Sequence, residues 1–233
     1  MYNGGMATLY IVSTPIGNLK DVTLRAIDTL KLVDYIFAED TRVTRTLLVK
    51  YGIKAKVLRH DDNNARVSTK GVVKLLDEGN NVALVSDSGT PCISDPGYVL
   101  VSVLREGSKH KIVSIPGASA VTSALSICGL PPIPYIFVGF IGKKNYKKID
   151  QAIDTGYTVV FFESPKRIQA SIKYIADKYP GATVCICREL TKKFEQVECG
   201  NIQKVSTMFG TEIKVKGEFT VILSTSPKCK NVS

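Results

Sequence analysis

Asn81-Val82-Ala83-Leu84-Val85-Ser86-Asp87-Ser88-Gly89-Thr90-Pro91-Cys92-Ile93-Ser94-Asp95-Pro96-Gly97 is an apolar strand that stops abruptly in small and turn-forming residues. Val82 to Val85 show no polar alternation, the pattern of a strand buried on both faces of an α/β sheet. A loop follows: Asp87, Ser88, Gly89, Thr90 and Pro91 all favour turns, and Gly89 lets the backbone approach a ligand closely. In open α/β sheets ligands bind beyond the carboxyl ends of the strands, where this loop belongs. An ordinary strand-to-helix connection has a similar composition. The second turn signal, Asp95-Pro96-Gly97, eight residues after Asp87, favours a site.

Working outward, strand and helix signals alternate. Upstream, 8–12 reads as a buried strand with Ser13-Thr14-Pro15-Ile16-Gly17-Asn18 as its exit loop. A helix follows, with Asp21 as its expected N-cap and Leu24, Ile27 and Leu30 at helical spacing. The strand at 35–38 ends in Glu39-Asp40-Thr41-Arg42, an unusually charged strand end; a helix is expected over 44–51, a strand over 56–59, and a helix over 72–78. Downstream come a helix over 98–106, a strand over 111–115, and the small-residue loop Pro116-Gly117-Ala118-Ser119-Ala120, which opens a helix to about 127. Gly129-Leu130-Pro131-Pro132-Ile133-Pro134 stiffens a connector, so two α/β domains are expected, 1–117 and 118–233. The second half is strand-rich, with strands over 137–140, 158–162, 182–187 and 219–223 and helices over 165–179 and 202–209. Residues 1–5 read as a loose leader and 224–233 as a polar, frayed tail.

Composition narrows the function. A chain of 233 residues with 44% hydrophobic content can bury a sizeable core, and 31 basic against 21 acidic residues give a net charge of +10, which suits an anionic partner such as nucleic acid. The basic run Gly142-Lys143-Lys144-Asn145-Tyr146-Lys147-Lys148 flanks a strand end and includes a possible stacking ring; a solvated face is the usual meaning of such a run, but RNA backbone contact is the favoured reading here. The six cysteines form no C-x-x-C pair and are expected to be free thiols in a reducing cytosol, with Cys185 and Cys187 as core residues. No apolar run reaches membrane-spanning length and no secretory signal pattern begins the chain. The chain lacks a G-x-x-x-x-G-K-S/T phosphate loop, a G-x-G-x-x-G fingerprint and a G-x-S-x-G elbow, and two histidines cannot make a His-rich metal site. What remains is a crevice of small residues with Asp87 and other carboxylates near strand ends, suited to a ligand carrying positive charge.

Seven stretches, Leu9-Tyr10-Ile11-Val12-Ser13-Thr14-Pro15-Ile16-Gly17-Asn18-Leu19-Lys20-Asp21, Ala38-Glu39-Asp40-Thr41-Arg42, Val85-Ser86-Asp87-Ser88-Gly89-Thr90-Pro91, Ser94-Asp95-Pro96-Gly97-Tyr98, Pro116-Gly117-Ala118-Ser119, Phe162-Glu163-Ser164-Pro165 and Arg188-Glu189-Leu190-Thr191-Lys192, together resemble the ribosomal-RNA methyltransferases of the tetrapyrrole methylase superfamily. The resemblance runs from Met6 to about Ser224. It implies two α/β domains with S-adenosylmethionine folded into a cleft between them, usually in a homodimer, acting in the cytoplasm. The implied reaction is methyl transfer to the 2′-hydroxyl of a cytidine in 16S ribosomal RNA, on naked RNA or on the assembled small subunit. By the family's pattern, Ile16, Asp87, Gly89, Ile93, Ser119, Ala120, Phe162, Leu190 and Glu218 are the cofactor-contact candidates. Candidate general bases are Glu39, Asp40 and Glu163, and Arg42, Lys143, Lys144 and Tyr146 are candidate substrate contacts. Asp40 with Arg42 also reads as a helix cap or ion pair, and Glu163 with Arg167 as a helix-start pair. Ile141-Gly142 and Lys166 depart from the Leu-Pro and His usual in the family, Asn64 replaces an acidic residue common there, and longer members continue past the last strand.

Two other readings fit parts of the pattern: a methyltransferase of the same fold acting on a tetrapyrrole precursor, and a catalytically silent RNA-binding protein. Cofactor binding separates the enzymes from the latter, and the net charge of +10 with Glu39-Asp40-Thr41-Arg42 favours RNA over a small acidic substrate.

Overall fold

The computed structural model describes residues 7–225 except 108, 143 and 144. The expected leader at 1–5, the candidates Lys143 and Lys144, and residues 226–233 of the expected tail lie outside the described residues. The chain divides into two compact units, Met1–Ser119 and Ala120–Ser233.

The first unit is a parallel sheet of β1 (Thr8–Val12), β2 (Tyr35–Ala38), β3 (Lys56–Arg59), β4 (Val82–Val85) and β5 (Lys111–Ile115), in the order β3-β2-β4-β1-β5. Its crossovers are α1 (Leu24–Leu32), α2 (Thr41–Lys50), α3 (Ala65–Asp77) and α4 (Tyr98–Gly107). Every residue of β4 is buried, and its alternation feeds two cores. Ala83 and Val85 pack with Leu30, Ile36 and Leu48 on one face. Val82 and Leu84 pack with Phe37, Leu76 and Leu100 on the other. At roughly 1.5–3 kcal/mol per fully buried large aliphatic side chain, this double burial explains why a central strand reads as an unbroken apolar run. Because the strands share one direction, the loops after them emerge along one edge.

In this unit three helix starts differ from expectation, and in the second unit the helix expected from 165 begins at Ile168. Thr23 caps α1, its Oγ1 accepting from Ala26 N at 3.1 Å, whereas Asp21 closes a short 3-10 turn, Leu19–Asp21, and Leu24 is exposed. Helix α2 starts at Thr41 because the Asp40 carboxylate accepts from Arg42 N at 2.8 Å. Helix α3 starts at Ala65, well before residue 72; Thr69, Val72 and Leu76 bury one face, and that packing overrides the poor propensity of the Ser68-Thr69-Lys70-Gly71 stretch.

The second unit holds α5 (Ala120–Ile127), β6 (Tyr135–Phe140), α6 (Lys147–Ile153), β7 (Thr158–Glu163), α7 (Ile168–Lys178), β8 (Thr183–Arg188), β9 (Gln196–Asn201), α8 (Ile202–Thr207) and β10 (Phe219–Ser224). Its mixed sheet has the order β6-β7-β10-β8-β9, with β6 and β7 parallel and the other neighbours antiparallel. Val159, Phe161, Val184, Ile186, Val221 and Leu223 face a core filled by Ile168, Ile172 and Ile175 of α7. Strand β9 and helix α6 are absent from the sequence reading: β9 is a partly exposed edge strand with Glu198 and Gly200, and α6 begins inside the basic run. Ser224 is buried as the last residue of β10, so the frayed tail cannot begin there.

The free-thiol expectation is corrected at two positions. Cys185 on β8 lies directly opposite Cys199 on β9, with Cα atoms 4.0 Å apart, and the two form a disulfide. Cys92, Cys128 and Cys187 are free. Among the described residues, no helix is long and apolar enough to cross a membrane.

Candidate functional site

The loops after β1, β4 and β5 are joined by hydrogen bonds. Thr14 N donates to Gly89 O at 2.8 Å, Thr14 Oγ1 to Ser86 O at 3.1 Å, and Ser86 Oγ to Gly89 O at 3.1 Å. Ser13 Oγ lies 2.9 Å from Thr90 Oγ1, and Ser13 N donates to Ile115 O at 3.1 Å. Gly89 has φ +84°, and a Cβ there would stand 3.3 Å from Ile16 Cγ2 and 3.4 Å from Ala118 O, so a side chain would press the flanking loops apart. Asp87 Oδ1 accepts from Asp40 N at 2.9 Å and so ties the ends of β2 and β4. Ile16, Asp87 and Gly89 are thus brought together, with half-buried Ser119 ending the unit; Ile93 lies on the same loop as Asp87 and is 60% exposed.

This edge is a concentration of negative charge. Burial pushes the pKa of Glu39 up to about 7, and the carboxylates of Asp87, Asp95, Asp62 and Asp61 add to the shift. Burial likewise raises Asp95 to about 6, with Asp87 and Asp62 adding to it and the Ser86 hydroxyl partly opposing. Asp87 is raised mainly by burial; the hydrogen bond from Asp40 N and the charge of Arg42 work against the rise. Asp40 behaves oppositely: its hydrogen bonds with Arg42 hold its carboxyl well below the usual range. Arg42 Nη2 reaches Asp40 Oδ2 at 2.6 Å while its side chain stays 86% exposed, so Asp40 serves as both helix cap and ion-pair partner. Next along the edge, buried His60 receives or donates a 2.7 Å bond at Nδ1 with Ser68 Oγ, and burial lowers its pKa, favouring the neutral ring. Arg59 is drawn onto Asp61. The inner carboxylates therefore hold protons more tightly than exposed ones and gain from a bound cation.

Sequence reasoning missed Asp95, Asp62 and the Thr14–Ser86 pair as parts of this edge. The Asp95-Pro96-Gly97 recurrence carried the signal for Asp95; the hydroxyl contacts have no sequence signature because they join residues more than seventy positions apart. A separate groove of about 900 Å3 between α3 and α4 is lined by Arg66, Lys70, Val73, Lys74, Val99 and Val103, and none of the strand-end candidates lines it.

The second unit holds the other candidates. Glu163 is fully buried at the end of β7; Oε1 accepts from Ser164 N at 2.8 Å and Arg167 Nε at 2.9 Å, and Oε2 accepts from Ser171 Oγ at 2.8 Å. With both oxygens engaged it anchors α7. Leu190 and Glu218 sit on two interlocked loops: Glu189 N donates to Glu218 O, and Glu218 N to Glu189 Oε1, each at 2.9 Å. Lys192 Nζ bridges Glu189 at 3.1 Å and Glu218 at 2.8 Å. Half-buried Ala120 opens α5, and half-buried Phe162 packs edge-on against Phe137 and Phe140. Tyr146 is stacked on Tyr174, with centroids 4.2 Å apart and planes 11° from parallel, so one face of its ring is already covered.

Comparison with known proteins adds what geometry cannot. Residues 8–206 match the family model of the tetrapyrrole (corrin/porphyrin) methylases. The chain is 43% identical over 222 residues to the ribosomal RNA small subunit methyltransferase I of Thermotoga maritima, covering 94% of this chain and 99% of that protein. It is 39% identical over 230 residues to the protein of the same name from Bacillus subtilis, covering 97% and 78% respectively. Among solved structures it superposes on diphthine synthase with a TM-score of 0.70 at 14% identity, over 94% of this chain and 90% of that one. It also superposes on uroporphyrin-III-C-methyltransferase from Thermus thermophilus with a TM-score of 0.65 at 15% identity, over 94% of each chain. At these identities the two superpositions speak for the fold.

Proposed function

This chain belongs to the tetrapyrrole methylase family, and from that premise we propose that it is an S-adenosylmethionine-dependent methyltransferase acting on the 2′-hydroxyl of a cytidine in small-subunit ribosomal RNA. The observation that carries the RNA assignment is the near full-length identity of 43% to a protein named as a ribosomal RNA small subunit methyltransferase. The cofactor assignment is supported by the donor set: carboxylates at the strand ends and a tightly packed loop at Gly89, whose φ of +84° disfavours any side chain, fit a cationic ligand that brings no phosphate.

When bound, S-adenosylmethionine supplies an electrophilic methyl group on a sulfonium. Asp87, Asp95 and Glu39 supply the field that favours the cation, and Ile16, Gly89, Ile93 and Ser119 line the same loops. Ala120, Phe162, Leu190 and Glu218 are the contacts proposed from the second unit. Much of the acceleration comes from holding the ribose oxygen in line, for which oriented reactions gain roughly 7–11 kcal/mol. Glu39 is the proposed proton acceptor for the 2′-hydroxyl, since its pKa of about 7 matches the task. Asp40 is held by Arg42 and Glu163 by its three donors, so neither is proposed as the base. Exposed Arg42 meets the RNA backbone, and the enzyme works as a homodimer in the cytoplasm.

The test is incubation with labelled S-adenosylmethionine and small ribosomal subunits from cells lacking the endogenous activity, followed by mapping of 2′-O-methylation. Label at a single cytidine is expected. Cofactor binding without RNA labelling redirects the search to another acceptor, a tetrapyrrole precursor among them; absence of cofactor binding removes every methyltransferase reading and leaves an RNA-binding protein.

A further inference from the structure

Strand β6 ends in Phe137-Val138-Gly139-Phe140. In a regular strand Phe137 and Phe140, three residues apart, would point to opposite faces. The pairing with β7 is irregular here: Phe137 faces Val160 while Phe140 faces Phe162, so three steps on β6 match two on β7. Gly139 takes the extra residue at φ +69°, a backbone that L side chains rarely adopt. The bulge turns Phe140 onto the side of the sheet that already carries Phe137 and Phe162. The ring of Phe162 meets Phe137 at 4.9 Å and 66°, and Phe140 at 5.4 Å and 61°.

This arrangement withholds a large ring from an available core. Ile136 and Val138, from the same strand, pack against the α7 side of the sheet, whereas Phe140 remains 53% exposed. Its described ring contact is T-shaped, which orients the ring, and more than half of the residue stays accessible to a partner. Exposed Lys147 and Lys148 follow shortly along the chain, and the protein carries a net charge of +10. An oriented, half-exposed aromatic ring followed in the chain by exposed cations has the chemistry that holds an unpaired base and its phosphates. Tyr146, the ring expected from the sequence to stack, already spends one face on Tyr174.

We infer that Phe140, set by the Gly139 bulge and backed by Phe137 and Phe162, is a platform on which an unpaired base of the RNA substrate stacks. This rests on the RNA-methylation reading above. Stacking on Phe140 belongs to RNA binding, so its loss weakens the grip on RNA far more than the grip on the cofactor, whose proposed contact Phe162 keeps Phe137 as a neighbour.

Wild type, Phe140→Ala, Phe140→Leu and Phe140→Tyr are compared for methylation kinetics on small ribosomal subunits, for S-adenosylmethionine affinity by calorimetry, and for sedimentation. Phe140→Ala is expected to raise the KM for RNA roughly ten- to hundred-fold. Its cofactor affinity changes far less than its KM for RNA, its sedimentation stays unchanged, Phe140→Tyr stays close to wild type, and Phe140→Leu resembles Phe140→Ala. The platform is overturned if Phe140→Ala matches wild type, if leucine serves as well as tyrosine, if cofactor affinity falls as far as RNA affinity, or if the variant alters only self-association. A wild-type protein that labels no ribosomal RNA sinks the functional reading itself, a failure seen before any variant is made.

Discussion

Glu39 holds its proton up to about pH 7 in a crevice that also raises Asp95 to about 6 and Asp87 above its ordinary value. In the unfolded chain Glu39 titrates near 4.5. Between those values the folded protein binds a proton that the unfolded chain has released, so this group's contribution to stability is present below about 4.5 and declines as pH rises through 7. A cation in the crevice reverses the preference, because it favours the charged carboxylates. Cofactor affinity should therefore rise from pH 5.5 to 7.5 with net release of protons near the middle of that range, roughly tracking titration of Glu39. Calorimetry in buffers of different ionisation heat measures the release directly, and Glu39→Gln should diminish it. Asp87→Asn keeps an oxygen for Asp40 N but removes the charge, and is expected to weaken cofactor binding roughly ten- to hundred-fold, the reach of one close charge at an effective dielectric near 20. A flat pH profile, or an Asp87→Asn protein that binds normally, would argue against a cation at these strand ends.

At the scale of elements, Glu163 shows how a carboxylate in a matched motif can be structural. Its side chain is fully buried, and its donors come from Ser164, Arg167 and Ser171 at the start of α7. Glu163→Ala leaves the Ser171 hydroxyl buried and unpaired and Arg167 without its partner, which should cost about 2–4 kcal/mol. A thermal melt would register this, whereas a base role predicts that Glu163→Gln removes turnover and leaves the melt in place. The same scale explains what was legible in the sequence. Strand β4 was plain because a strand buried on both faces leaves an uninterrupted apolar record. Strand β9 was hidden because an edge strand with Glu198, Gly200 and Asn201 has little apolar record to leave. The Cys185–Cys199 pairing depended on the β8–β9 register, which no local pattern states. Asp87 and Glu39 could be named from strand ends, but the acidity of the crevice required knowing that β2, β3 and β4 are neighbours.

For the molecule as a whole, two charge distributions of opposite sign suit the two proposed ligands. The net charge of +10 attracts a polyanion over its surface, while the carboxylates at the strand ends of the first unit favour a cation. Salt separates the two. Each phosphate neutralised on single-stranded RNA adds about −0.7 to the slope of log affinity against log salt, so contacts with three to five phosphates give a slope of roughly −2 to −3.5. The half-buried carboxylates exchange few counterions and are screened less, since screening acts mainly on exposed charges. Raising potassium chloride from 50 to 200 mM should thus weaken RNA binding by roughly twenty-fold or more and cofactor binding by less than about three-fold. Anisotropy with a labelled ribosomal RNA fragment and calorimetry with the cofactor read the two slopes on one preparation. If RNA affinity proved as indifferent to salt as cofactor affinity, the surplus of lysine and arginine would have no part in holding RNA, and the basic surface would have to be explained by solubility alone.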